Sequence, residues 1–171
     1  MARRSINNPT FTPTATADTS GLPASSYAFY LQGGSTTQQI KVHEISLLGQ
    51  AASSSSPSIM LLARDSTVAA SSTTFTSSGC SDAAIDPATA ALAAPPVSGN
   101  SAGTAPQRSS SLKMLNLSLN AFGGINFWRA NKWDECPVIL GNTASFGEMS
   151  LSAFTGGTTG LMGCHCIYEP L

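Results

Sequence analysis

The chain has 171 residues, the size of one ordinary domain. It carries a formal net charge of −1, and only 10% of it is Asp, Glu, Lys or Arg, where about 25% is usual. So weak a field holds no phosphate backbone, and Arg3-Arg4 is the only basic cluster along the sequence, so no direct nucleic-acid partner is expected. No apolar run approaches the roughly 18 residues of a membrane helix, and MARRSINNPTFTPTAT lacks the apolar stretch of a signal peptide, so the expectation is a soluble chain made in the cytoplasm with no membrane partner.

Residues 1–26 contain three prolines and no apolar periodicity, which predicts an extended N-terminal arm without a core of its own, ahead of a β-sandwich domain over 27–171. From Tyr27 the pattern changes. YAFYLQGG and QQIKVHEISLLG predict two strands separated by a Gly-Gly-Ser-Thr turn. Ile40 and Val42 share one face of the second strand and Ile45 the other, so the apolar set changes face near His43-Glu44, as at a β-bulge. ASSSSPS (52–58) is a polar loop, and IMLLARDSTV (59–68) is apolar enough for a buried strand. A Ser/Ala/Pro loop is predicted from about 69 to 110. Inside it Asp86-Pro87-Ala88 opens one short helix over 86–93, stopped by Pro95-Pro96.

The second half predicts strands at 111–120, 125–130, 137–141, 147–155 and 160–169, each bounded by Gly, Asn or Pro. Leu115, Leu117 and Leu119 mark the core face of the first, with Leu112 and Met114 opposite, and Met149, Leu151 and Ala153 line one face of GEMSLSAF. About eight short strands with Gly-rich turns predict an all-β fold, a single jelly-roll-like sandwich.

In the closing GLMGCHCIYEPL, alternation places Cys164, Cys166 and Tyr168 on one face and His165, Ile167 and Glu169 on the other, so the imidazole cannot join both thiols. Cys80, Cys136 and His43 lack zinc-ligand spacing, and no metal or cofactor is expected. Cys164 and Cys166 stand roughly 6 to 7 Å apart on one strand, near or beyond disulfide reach, so each needs a partner such as Cys80 or Cys136, or stays a buried thiol. Asp134-Glu135, the only adjacent acid pair, reads as a solvated loop pair, and His43 and Glu44 as surface or bulge residues. With no Gly-x-Ser-x-Gly, phosphate loop or His-Glu-x-x-His, the chain is not expected to be an enzyme.

Two stretches, YAFYLQGGSTTQQIKVHEISLLGQAASSS and FGEMSLSAFTGGTTGLMGCHCIYEPL, resemble small virion structural proteins of tailed bacteriophages. In those proteins an early strand, a Gly-Ser turn and an IxVxEI-type strand precede an Ala/Ser/Pro loop with an Asp-Pro-Ala segment, and the closing strand ends in an aromatic and a glutamate, as Tyr168 and Glu169 do here. The resemblance covers the outer thirds of the chain. It implies a non-enzymatic jelly-roll subunit on the virion, most often a capsid decoration or cement protein, whose partners are the major capsid protein and neighbouring copies of itself in a homo-oligomer. Arg3, Arg4, Phe11, Trp128 and Trp133 are the expected assembly contacts. The four cysteines and the long arm depart from the pattern and leave open which virion component this is. The alternatives are another tail or neck component, or a carbohydrate-binding module of a tail fibre or adhesin with Trp128, Trp133 and Tyr168 as its aromatic patch.

Overall fold

The computed structural model describes residues 3–14, 27–51, 57–69, 75, 79–85, 92–101, 104, 106–155 and 157–171. Eleven strands are present among them: β1 Arg4–Phe11, β2 Tyr27–Gln32, β3 Gln39–Gly49, β4 Ser58–Thr67, β5 Ser81–Ala84, β6 Val97–Gly99, β7 Gln107–Leu119, β8 Ile125–Arg129, β9 Val138–Leu140, β10 Glu148–Thr155 and β11 Met162–Pro170. They form two antiparallel sheets. The first runs β5-β1-β11-β3-β8, with β9 also on β3, and the second runs β6-β2-β10-β4-β7. Four nested pairs generate this order: β4 with β7, β3 with β8, β2 with β10 and β1 with β11, like a two-stranded ribbon folded at β4–β7 and rolled so that its pairs alternate between sheets.

The core lies between the sheets. Ile6, Val42, Ile45, Leu47, Cys164, Cys166 and Tyr168 from one sheet meet Phe29, Leu31, Met60, Leu62, Met149, Leu151 and Ala153 from the other, all buried. The phase change in β3 is the expected bulge. Its register on β11 jumps from Glu44↔Ile167 to Val42↔Tyr168, leaving His43 as the extra residue, so Ile40 and Val42 stay in the core with Ile45 and Leu47. A second slip, from Leu62↔Leu115 to Ala63↔Lys113, skips Met114, and so Met114 packs against the core alongside Leu115 and Leu117 instead of facing away.

The boundary expected at Tyr27 is corrected over residues 4–11. This segment is no arm: β1 lies between β11 and β5, with Ile6 and Phe11 in the core. Its strand pattern is weak because a buried Asn replaces an apolar residue, Asn8 donating from Nδ2 to Ala28 O at 2.8 Å. The rest of the expected arm, 15–26, lies outside the described residues, as do residues 86–91 of the expected helix. Two short strands, β5 and β6, interrupt the stretch read as one long loop, and β7 begins at Gln107, four residues early.

Because Ile6 is fully enclosed, Ile6→Ala should destabilise the whole sandwich by about 2–5 kcal/mol in denaturant unfolding. An unchanged midpoint would return the segment to the status of an arm.

Candidate functional site

The bulge at His43 turns its side chain to the outer face of the first sheet, where the segment between β8 and β9 folds over it. That segment contains a 3-10 turn, Trp133–Glu135. Three side chains far apart in sequence form a row there: Cys136 Sγ lies 3.5 Å from His43 Nδ1, and His43 Nε2 lies 3.0 Å from Glu169 Oε2. Glu169 and Cys136 are buried, and His43 is half-buried. The two partners stand on opposite edges of the imidazole, so the trio forms a line and not a chelate, and among the described residues no group of three His, Cys, Asp or Glu side chains suits a metal ion. Burial pushes the Cys136 thiol up from its ordinary value; the Glu169 charge adds to this and Lys41 works against it.

Of the row, His43 reaches a mouth of about 420 Å³ lined also by Arg3, Arg129, Ala130, Asn131, Lys132 and Trp133. Trp133 sits with its ring centroid 5.3 Å from that of His43, and Lys41 Nζ lies 4.0 Å over the indole. Arg129 leans toward Glu44 at 3.8 Å, and Glu135 accepts from Asn131 N at 3.2 Å. Folding thus gathers cations that the sequence scatters over about 130 positions.

A different surface lies along β8. Its outward residues Ile125 and Phe127 are 75% and 54% exposed, and Ile125 stands directly opposite Leu48, itself exposed. Phe122, exposed too, is on the turn leading into β8. Among the described residues β8 ends its sheet, so this apolar strip lies beside a strand edge that no described strand pairs.

The outer face of the second sheet is sealed by polar groups. Glu148, Ser150 and Ser152 project opposite Met149, Leu151 and Ala153 on β10 and are just as buried. Extending the register Met149↔Arg64 by one residue sets Glu148 opposite Asp65. Ser150 Oγ donates to Asp65 Oδ1 at 2.6 Å, Ala69 N donates to Glu148 Oε1 at 2.9 Å, and buried Arg108 stands opposite Asp65 in the β4–β7 register. Burial raises both carboxyls above the ordinary range. Ser150 and Arg108 oppose this at Asp65, and the Ala69 amide opposes it at Glu148.

The expected contact residues scatter. Phe11 is corrected outright, since burial in the core removes it from any partner's reach. Arg4, half-buried, is committed within its own sheet, its Nε 3.0 Å from both Asp82 Oδ1 and Tyr168 Oη, while Tyr168 donates to Asp82 Oδ2 at 2.6 Å. Trp128 packs against the core, and only Arg3 and Trp133 reach the mouth. The aromatic patch of the carbohydrate reading does not form: Tyr168 is fully buried and Trp128 half-buried, leaving Trp133 exposed without them. All four cysteines are free thiols. Cys164 and Cys166 share the core face of β11 as buried thiols, one of the two fates left open, and Cys80 donates to Asn8 Oδ1 at 3.1 Å. The Cys136–His43–Glu169 row and the Asp65–Glu148 pair were missed by the sequence reading; the bulge at His43 was the one local signal for the first.

No protein-family model matches the chain, nor does any curated protein or any solved structure.

The acid pair sets the sign of a pH effect. Folded-state carboxyls held above their unfolded values bind protons that the unfolded chain has released, so their contribution is intact in acid and declines as pH rises past the ordinary carboxylate range. Wild-type melting temperature should fall as pH rises from about 4.5 to about 9, with a loss on the order of 1–3 kcal/mol, and Asp65→Asn should flatten that decline. Parallel pH curves for the two proteins would refute the shared burial of charge.

Proposed function

We propose that this chain is a non-enzymatic virion structural protein, a jelly-roll subunit that seats on a phage head as a decoration or cement protein. The observation that carries the reading is the apolar strip of Ile125 and Phe127 on β8 with Leu48 of β3 beside them, next to an edge of β8 that no described strand pairs. A protein working alone seldom leaves three large apolar side chains together beside an unpaired strand edge, where they invite association. The rest of the surface is poor in charge, which suits a subunit packed among neighbours.

The strand order supports the jelly-roll reading. The eight long-paired strands β1, β2, β3, β4, β7, β8, β10 and β11 divide as β1-β11-β3-β8 and β2-β10-β4-β7, the rolled double ribbon of viral capsid and lectin sandwiches. Fold alone does not assign function, so the choice of a head partner rests on the sequence resemblance together with the β8 strip. The occupant of that strip is the major capsid protein, with copies of this chain as neighbours around the joint.

Seating by β8 removes Ile125 and Phe127 from water, about 2 kcal/mol each, or about thirtyfold in affinity per side chain. The double variant Ile125→Ser, Phe127→Ser should therefore keep the melting temperature of the wild type while losing its place on undecorated heads in sedimentation. Equal occupancy for both proteins would remove β8 as the seat. Failure of the wild type to bind any head would remove the decoration reading itself.

A further inference from the structure

Beyond a role in assembly, the geometry points to a second property: we propose that Cys136 is a nucleophilic thiol served by His43 as base, and that it forms a mixed disulfide with small anionic disulfides admitted at the Arg3–Lys132–Trp133 mouth.

The row has the parts such a thiol needs, in the required order. Glu169, buried and 3.0 Å from Nε2, holds the imidazole with its proton on that nitrogen and leaves the Nδ1 lone pair toward Cys136 Sγ at 3.5 Å. When the proton passes to Nδ1, Glu169 stabilises the resulting imidazolium. A nucleophile, a base and a group that orients the base, each touching the next, distinguish Cys136 from the other cysteines. Cys164 and Cys166 are sealed in the core, where burial, joined at Cys166 by Cys164, Asp82 and Glu44, drives their thiols far above the ordinary value. Cys80 donates to an amide oxygen of Asn8, which cannot take its proton.

The surroundings set the partner's chemistry. Sγ lies 3.9 Å from the carbonyl of Lys132 and 3.5 Å from His43, and both residues line the mouth, so the buried thiol stands directly behind its wall, one side chain deep. The mouth presents Arg3, Lys132 and Arg129, the last shared with Glu44, beside the half-exposed indole of Trp133. A disulfide carrying carboxylates meets cations there, and one carrying ammonium groups meets repulsion. In the reaction the Cys136 proton moves to His43 Nδ1 and Sγ attacks one sulfur of the reagent. The Sγ–S bond forms as the reagent's S–S bond breaks, and the departing thiolate takes the proton from the imidazolium. The thiol is oxidised to the mixed disulfide, and the other half of the reagent is reduced to a free thiol.

The test is peptide mapping by mass spectrometry of the native full chain after brief exposure to oxidised glutathione, with cystamine as the cationic comparison. Cys136 should be modified first, and oxidised glutathione should outpace cystamine at that residue. His43→Gln, which keeps a polar side chain but no base, should slow modification by about tenfold or more. The double variant Arg3→Glu, Lys132→Glu leaves the row untouched and should reverse the preference between the two reagents. The proposal is overturned if Cys80 reacts before Cys136, if His43→Gln reacts at the wild-type rate, or if charge reversal leaves the preference unchanged. Should His43→Gln fail to fold, the wild-type order of modification and the charge-reversal pair still decide.

Discussion

The first sheet is continuous only because β11, the end of the described chain, lies between β1 and β3 and pairs with both. Remove that strand and β5-β1 separates from β3-β8; the inner face also loses Cys164, Cys166 and Tyr168. The approach on the β1 side is close enough to demand glycine at 163, where a Cβ would come within 2.7 Å of Gln50 Nε2 and 2.9 Å of Pro9 O. The sheet therefore closes only after segments some 160 residues apart have met, a non-local pairing that makes for slow folding and great dependence on its final contact.

The same pairing decides what each surface can do. Running β3 against β11 with His43 as an extra residue keeps four apolar side chains inward, and it also sets His43 beside Glu169 on the outer face. The β8–β9 segment then covers that end and supplies Cys136, while the stretch of β8 beyond it stays bare. On the second sheet the outer face of β10 is closed by Glu148, Ser150 and Ser152 with their partners. The result is a sandwich in which one face is sealed, one end of the other face holds a polar row, and one edge offers an apolar strip.

Most strands were legible because a half-buried antiparallel strand alternates. The runs that became β2, β3, β4, β7, β8, β9, β10 and β11 all carry that alternation or a continuous apolar run between Gly, Pro and Asn punctuation. β1 was not legible, since RSINNPTF offers only Ile6 and Phe11 as apolar signals and its third inward residue is an Asn satisfied by a carbonyl twenty residues on. SDAA and VSG are too short to show a period at all. The polar row was invisible for a different reason. His43, Cys136 and Glu169 are separated by 93 and 126 positions from His43, so no spacing rule relates them, and only the bulge hinted that His43 was set apart. The β8 strip was hidden by its own alternation: Ile125 and Phe127 look like core residues, yet the strand's other face, with Trp128, is the one that packs inward.

The most direct measurement is a density map of the decorated head, resolved well enough to trace this sandwich and its neighbours. If the chain is a head subunit seated by β8, Ile125 and Phe127 will lie against the shell, with the Trp133 mouth away from that contact. A sandwich found on the tail, or one whose β8 edge faces solvent while another surface meets the shell, would contradict it.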